Sequence, residues 1–157
     1  MADAIADVSV LTQYIVDMLS ADPSLGGLLT TPLQDVWYGD EALIPRFPTV
    51  TVESSGITSI LSGAPYRTDN DIRIILIVYA SKVQPGETTR KEADQLAYSV
   101  RSKLHTDRTL GGLVIHGFVS SIEYGYTVRR TTGATAALIR AARLTWDGKN
   151  KLMLGGV

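Results

Sequence analysis

The sequence of 157 residues contains no cysteine. This absence excludes disulfide frameworks, thiolate nucleophiles and zinc sites with cysteine ligands. The sequence also lacks an excess of charge of one sign, because it contains 15 basic and 16 acidic residues and its net charge is −1. No overall field draws the chain to nucleic acid, although a local basic face is compatible with this balance. We therefore expect the fold to depend on packing or on association with neighbouring subunits.

Long hydrophobic runs are missing as well. The longest purely apolar run, residues 74–80, is far shorter than the roughly 20 residues of a membrane-spanning helix. The first 19 residues carry three Asp and no Lys or Arg, which is not the pattern of a signal peptide. We expect an intracellular, soluble protein in which residues 1–157 form a single domain.

Motifs that carry chemistry are absent too. The sequence has no P-loop, no dinucleotide-binding glycine fingerprint and no nucleophile elbow. His105 and His116 have neither metal-ligand spacing nor a carboxylate cluster beside them. Residues 69–71, Asp-Asn-Asp, are more typical of a turn with local hydrogen bonds than of a cation site. The sequence thus predicts no catalytic residues, no cofactor and no metal ion, and a protein that is not an enzyme.

Two amphipathic helices are predicted. Apolar residues recur at three- and four-residue spacing over about residues 3–20, and Asp22-Pro23 ends this helix. A capping box formed by Thr89 and Glu92 opens the second helix, which is predicted over about residues 89–105.

Strand signals complete an α+β fold with a small, mostly antiparallel sheet packed against the two helices. Alternating or continuous apolar patterns, rich in β-branched residues, predict about four strands. These cover about residues 48–54, 71–80, 113–130 and 136–147. The third strand is expected to kink at Gly117 or Gly125, because glycine within a strand marks bends and bulges.

The last of these strands has an ambiguous pattern. The alanines of residues 136–146 favour a helix, whereas Leu-Thr-Trp at its end favours a strand. We predict a strand, because the period-two pattern pairs it with the preceding one. Asp147-Gly148 is typical of a turn, so residues 149–157 are predicted to be a flexible tail.

One segment of the sequence is echoed later in the chain. Residues 22–29, DPSLGGLL, resemble residues 107–114, DRTLGGLV, and both follow a predicted helix. The interpretation we favour is two similar helix-exit turns, in which glycine supplies positive φ and leucine packs back on the helix. The alternative is a duplicated helix-turn-strand unit.

Four arginines form the best sequence case for contact with nucleic acid. On adjacent strands they would line one face near Tyr124 and Tyr126, giving phosphate contacts with stacking aromatics. The interpretation we favour is a solvated or subunit-facing edge that pairs with a neighbour's carboxylates. These arginines are Arg129, Arg130, Arg140 and Arg143.

The order of elements resembles the tail-terminator, or tail-completion, family of long-tailed bacteriophages, including related minor tail and neck proteins. The resemblance covers nearly the whole chain, but it is one of layout more than of motif. It runs through an acidic first helix with a leucine-rich exit, the strand entry PRFPTV at residues 45–50, residues 73–79, the helix start TTRKEAD at residues 88–94, the exit at residues 104–113 and the strand RLTW at residues 143–146.

The resemblance implies a subunit that closes into a hexameric ring at the head-proximal end of the tail, stops growth of the tail tube and joins the neck. The implied partners are copies of itself, the tail-tube protein, a neck or connector protein and, transiently, DNA in the lumen, and no membrane is involved. The implied location is the virion, after assembly in the host cytoplasm. The same layout is compatible with a neck, connector or minor tail protein, or with a nucleic-acid-binding module.

A ring requires a heterologous head-to-tail interface. Three segments, residues 37–48, 54–70 and 129–135, are long or apolar enough to supply it, and burying Trp37 and Tyr38 would stabilise it by several kcal/mol before ordering costs. The candidate interface residues are Trp37, Tyr38, Arg46, Phe47, Tyr66, Arg67, Arg129 and Arg130. The candidate lumen or nucleic-acid face consists of Arg140 and Arg143.

Overall fold

The computed structural model describes residues 7–22, 33–39, 46–61, 67–82, 88–132 and 135–153. These residues form two helices and one five-stranded sheet. In chain order the elements are α1 (Val8–Ser20), β1 (Asp35–Tyr38), β2 (Thr49–Leu61), β3 (Arg67–Lys82), α2 (Thr88–Leu104), β4 (His116–Thr132) and β5 (Thr135–Met153).

The strands lie in the order β1-β2-β3-β5-β4. β1 runs parallel to β2, and every other neighbouring pair is antiparallel. The predicted α+β class is confirmed, but the sheet has five strands where four were predicted. The additional strand is β1, which overlaps the candidate interface segment 37–48 at Trp37 and Tyr38 and in which Val36 pairs with Val50. Four residues are too few to show a period-two pattern, so only the pairing reveals this strand.

Most of the predicted connection over residues 54–70 is also strand. A bulge between Ser54 and Gly56 interrupts the alternation of β2, and the strand then continues to Leu61. The polar residues beyond the bulge pair across the sheet, since the Ser59 hydroxyl donates to Asn70 and the Asn70 amide donates to Asn150 at 2.9 Å. The sequence pattern predicts a connection or a turn, not a strand, for Ser59 and Asn70.

β5 is a strand, as predicted from the ambiguous residues 136–146, but it does not end at Asp147-Gly148. It continues to Met153, so the predicted tail does not begin at residue 149, and residues 154–157 lie outside the described residues. Gly148 faces Gly117 across the ladder, beneath the indole of Trp146. A Cβ at Gly148 would lie 2.3 Å from the Trp146 ring, and one at Gly117 would lie 2.0 Å from it. Both glycines are therefore explained by the packing of this ring.

β4 bends where one of the two predicted glycines lies. Its register against β5 shifts between Glu123 and Tyr126, and Gly125 in this interval has a φ of +71°. A second shift, between Val119 and Ser121, involves no glycine. The kink predicted at Gly125 is thus confirmed as a bulge.

The main core lies between the helices and one face of the sheet. α1 packs over β1 and β2, and α2 packs over β3, β5 and β4. The fully buried side chains include Leu11, Ile15, Leu96, Leu104, Ile74, Leu76, Leu144 and Trp146. The helix starts differ slightly from prediction: α1 begins at Val8 with Asp7 as its N-cap, accepting a hydrogen bond from the Ser9 amide at 2.9 Å. Residues 3–6 and the side chain of Thr89 lie outside the description.

The turn after α2 has the form predicted from the echoed segment. Leu110 is fully buried, and Gly111 and Gly112 have φ values of +68° and +91°. Its hydrogen bonds include one from the Gly111 amide to the Asp107 carboxylate at 3.0 Å. The corresponding segment after α1 lies outside the described residues, apart from Asp22. None of the helices that the structure describes has the length and apolar character needed to cross a membrane.

Candidate assembly surfaces

One side of β2 carries an uncovered stretch of strand, residues 53–61, which we call the β2 edge. β1 pairs with β2 only over residues 49–52, so in the described part of the chain the β2 edge is paired on one side, by β3. All nine of its residues are exposed. Three of them are large and apolar: Ile57, Ile60 and Leu61 are 39%, 62% and 72% exposed. A one-sided strand of this kind presents unpaired backbone groups to another strand.

The outer part of the β2 edge, residues 56–61, lacks the usual protection of a sheet edge. Proteins blunt exposed edges with charged side chains, prolines or bulges. Residues 56–61, Gly-Ile-Thr-Ser-Ile-Leu, contain no charge and no proline, and the bulge precedes them. The sequence analysis named residues 54–70 as a candidate interface segment, but as a connection, so it did not predict that residues 55–61 continue the strand. The signal that could have found them is this short, uncharged, isoleucine-containing run.

The opposite side of the sheet ends in β4. Near the start of this strand, the Val119 amide donates to Nε2 of His105 at 3.0 Å. Burial lowers the pKa of His105, and the positive charges of Arg101 and Arg108 lower it further, which favours the neutral imidazole that accepts this bond. Because His105 accepts this bond, the Val119 amide is not available to pair with another strand.

The outward side of residues 120–132 is what we call the β4 edge. Ser120, Ser121 and Glu123 are exposed, and Tyr124 is 52% exposed. Phe118, just before this stretch, is 43% exposed. Within the described residues no strand pairs with this side of β4. The two edges therefore lie at opposite sides of the sheet.

Arg46, a candidate interface residue, already has a partner within the chain. Its guanidinium donates two hydrogen bonds to Asp35 of β1, and the Nε to Oδ2 distance is 3.0 Å. These bonds raise the pKa of Arg46. The Arg46 carbonyl also accepts a bond from the Thr49 hydroxyl at 2.5 Å. Arg46 therefore ties β1 to the start of β2.

The aromatic candidates near β1 differ in exposure. Trp37 is half-buried, and Tyr38 is 45% exposed. Phe47 is half-buried against Tyr79 and Ile139, on the sheet face away from the helices. Of these three predicted residues, Tyr38 offers the most surface to a partner.

The remaining interface candidates are placed by the backbone alone. Arg67 pairs with Met153 at the start of β3, whereas Arg129 and Arg130 pair with Leu138 and Ala137 in the β4–β5 ladder. Arg129 and Arg130 thus belong to the β4 edge. Tyr66 lies outside the described residues.

Arg140 and Arg143 do not form one face. They are three residues apart in β5, and alternation along a strand places them on opposite sides of the sheet. Arg143 also lies 3.6 Å from the Glu123 carboxylate. The lumen or nucleic-acid face predicted from these two arginines is therefore not assembled as a pair.

The sheet face away from the helices carries paired charges. Arg73 Nε lies 3.0 Å from Asp147, and Lys149 lies 3.5 Å from Asp71. Burial acts to raise the pKa of Asp147, but hydrogen bonds from Arg73 and Ser120 outweigh it and hold that pKa below its usual value. In the part of this face that the structure describes, Arg73 and Lys149 are thus held in cross-strand ion pairs.

Two depressions near the β2 edge have charged walls. One, of about 410 Å³, is lined by residues 55–58 together with Arg73 and Asp147. The other, of about 380 Å³, lies between Ile60, His116 and Lys149. Arg73, Asp147, Asp71 and Lys149, which line these depressions, are held in the ion pairs of the sheet face. Among the described residues, no group of three or more His, Asp or Glu is arranged to hold a metal ion.

No protein-family model matches the sequence, and no curated protein matches it significantly.

Proposed function

We propose that the protein is a structural subunit that assembles with copies of itself into a ring. The observation that carries this proposal is the outer part of the β2 edge, residues 56–61, an uncharged and proline-free stretch of strand with exposed apolar side chains. A protein that stayed monomeric would expose unpaired strand to any other chain, which is an aggregation hazard. A permanent partner removes this hazard.

The perturbed titratable groups also support an architectural role. The pKa of Asp7 is lowered by hydrogen bonds within the first turn of α1, and that of Asp107 is lowered chiefly by its bond from Tyr14. The pKa of Arg73 is raised by its hydrogen bond to Asp147 across the sheet. In each case the cause is a cap or a pair that holds secondary structure together. An active site would instead gather such groups around one cleft.

The station that we propose for the ring is the head-proximal end of a phage tail, where it ends polymerisation of the tail tube and provides the joint to the neck. This assignment rests on the sequence resemblance to tail-terminator proteins. It implies a hexamer that contacts the tail-tube protein on one side and a neck or connector protein on the other. The ring would assemble in the host cytoplasm and remain in the virion, with DNA passing through its lumen. A neck, connector or minor tail protein of the same layout is the alternative.

A nucleic-acid-binding module was the other function considered from the sequence. We do not propose it, because Arg140 and Arg143 lie on opposite faces and the charges around Arg143 are paired.

The test is the mass of the purified protein in solution, measured by sedimentation and light scattering, alone and with tail-tube protein. We expect a hexamer in at least one condition and ring-shaped particles in negative stain. A protein that is monomeric in both conditions, over a wide range of concentrations, would contradict the proposal.

A further inference from the structure

We propose that the ring closes by strand pairing, with the β2 edge of one copy joined antiparallel to the β4 edge of the next. This inference rests on the proposed ring function and specifies its interface. The partner strand of the β2 edge belongs to a second copy of this chain. Two features of the described residues support the inference: strand direction and surface chemistry.

Strand direction is the first argument. β2 is antiparallel to β3, β3 to β5, and β5 to β4, so β2 and β4 run in opposite directions. Copies placed side by side in the same orientation therefore bring these two edges together as an antiparallel pair, the commoner pairing in proteins. The same placement keeps the helices of all copies on one side of the combined sheet. A head-to-tail ring needs every copy in the same orientation, and this placement meets that requirement.

Surface chemistry is the second argument. The β2 edge contributes Ile57, Ile60 and Leu61, and the β4 side contributes Tyr124 and, just before its edge, Phe118, all of them exposed. Aromatic and β-branched residues form favourable cross-strand pairs. Pairing would bury apolar side chains on both partners and satisfy the unpaired backbone groups of two strands at once.

The test uses cysteine cross-linking, which suits a chain with no native cysteine. Thr58→Cys places a thiol on the β2 edge, and Ser121→Cys or Tyr124→Cys places one on the β4 edge; all three residues are exposed. Each variant is mixed with another and treated with a short bifunctional maleimide. Ser102→Cys, on the exposed side of α2, is the matched control. Circular dichroism checks that each variant is folded.

We expect cross-linked dimers when a β2-edge variant is mixed with a β4-edge variant, at least about tenfold above any pair that includes Ser102→Cys. A double variant carrying both cysteines should give a ladder of higher oligomers. Cross-linked dimers from Thr58→Cys alone would indicate symmetric pairing of two β2 edges and would overturn the inference.

The failures of the two proposals are distinguishable. If sedimentation shows an oligomer but the mixed pair cross-links no better than the control, the edge pairing is wrong and the ring proposal stands. If the protein is monomeric in every condition and no pair cross-links, both proposals are wrong.

Discussion

Trp146 shows how one side chain determines the identity of two others. Its indole is fully buried and lies over Gly117 and Gly148, which are paired across β4 and β5. From the sequence, Gly117 is one of two predicted kink positions and Gly148 belongs to a predicted turn, because glycine has those roles when no side chain packs over it. The contact that explains them joins β4 to β5, so local pattern could not predict it.

Gly148→Ala is expected to lower the free energy of unfolding by about 1–3 kcal/mol. The new Cβ would lie 2.3 Å from the Trp146 ring, and a packed core has no room to move it without strain. Gly56→Ala is the control, because no atom lies within 4 Å of a Cβ built there. Urea unfolding of both variants measures the difference, and equal effects would show that the ring can shift at little cost.

His105 links the end of α2 to β4 through a bond that only the neutral imidazole can accept. Because its pKa is lower in the folded protein than in the unfolded chain, the unfolded chain binds more protons at intermediate pH. The contribution of His105 to stability is therefore present above the unfolded pKa of about 6.5 and is lost as the pH falls through the folded pKa.

We expect the free energy of unfolding to fall as the pH is lowered from about 7 to 5. His105→Gln should reduce this dependence, because an amide oxygen can accept the Val119 hydrogen bond without titrating in this range. His116→Gln, at the exposed histidine, serves as the control and should leave the dependence in place. If His105→Gln and the parent protein show the same pH profile from urea unfolding, His105 does not carry the effect.

At the scale of elements, periodic patterns in the sequence predicted the helices. The strand segments that depend on pairing with a neighbouring strand were not predicted. The spacing of Leu11, Ile15 and Leu19 is enough to identify α1, since one helix face meets the core. β1 has only four residues, and its parallel pairing with β2 decides its structure. The outer half of β2 was missed for the related reason that its residues are exposed, so no burial pattern marks it.

The junction of α1 with the turn after α2 provides a prediction at this scale. The Tyr14 hydroxyl donates to Asp107 at 2.6 Å, and a Cβ at Gly111 would lie 3.0 Å from the Tyr14 ring. This hydrogen bond is the main cause of the raised pKa of Tyr14 and of the lowered pKa of Asp107. Tyr14→Phe keeps the ring and removes the bond. It should destabilise the protein by about 0.5–1 kcal/mol, at the low end of hydrogen-bond values because solvent reaches the pair.

The same variant should change the acid limb of the stability profile. The lowered pKa of Asp107 contributes stability above its unfolded pKa of about 3.9, and this contribution is lost as the pH falls through the folded pKa. Tyr14→Phe should weaken that dependence below about pH 4. Tyr98→Phe, at the exposed tyrosine of α2, should leave both quantities unchanged. An unaltered acid limb in Tyr14→Phe would contradict the role assigned to this bond.

At the scale of the whole molecule, the candidate interface segment 54–70 overlaps the proposed β2 edge, but the two were chosen for different reasons. Residues 54–70 were named for their length as a connection, whereas the structure makes residues 54–61 the uncovered part of β2 and residues 67–70 the start of β3. Arg46 and Phe47 were named from an aromatic loop, and both face contacts within the chain. The strand order β1-β2-β3-β5-β4 determines which strand surfaces are uncovered. Strand order cannot be predicted from local sequence patterns.

If assembly through the β2 edge stabilises the folded chain, its thermal midpoint must rise with protein concentration. Association with copies adds stability by mass action, and each tenfold rise in concentration contributes up to about 1.4 kcal/mol per interface. Ile60→Lys places a charge at the most exposed isoleucine of the edge and should abolish this rise while leaving the midpoint of the dilute protein nearly unchanged. Val10→Lys, at an apolar residue of α1 that is 39% exposed, is the matched control and should keep the rise. Calorimetry over a hundredfold range of concentration measures all three proteins, and a parent midpoint that does not depend on concentration would contradict assembly through this edge.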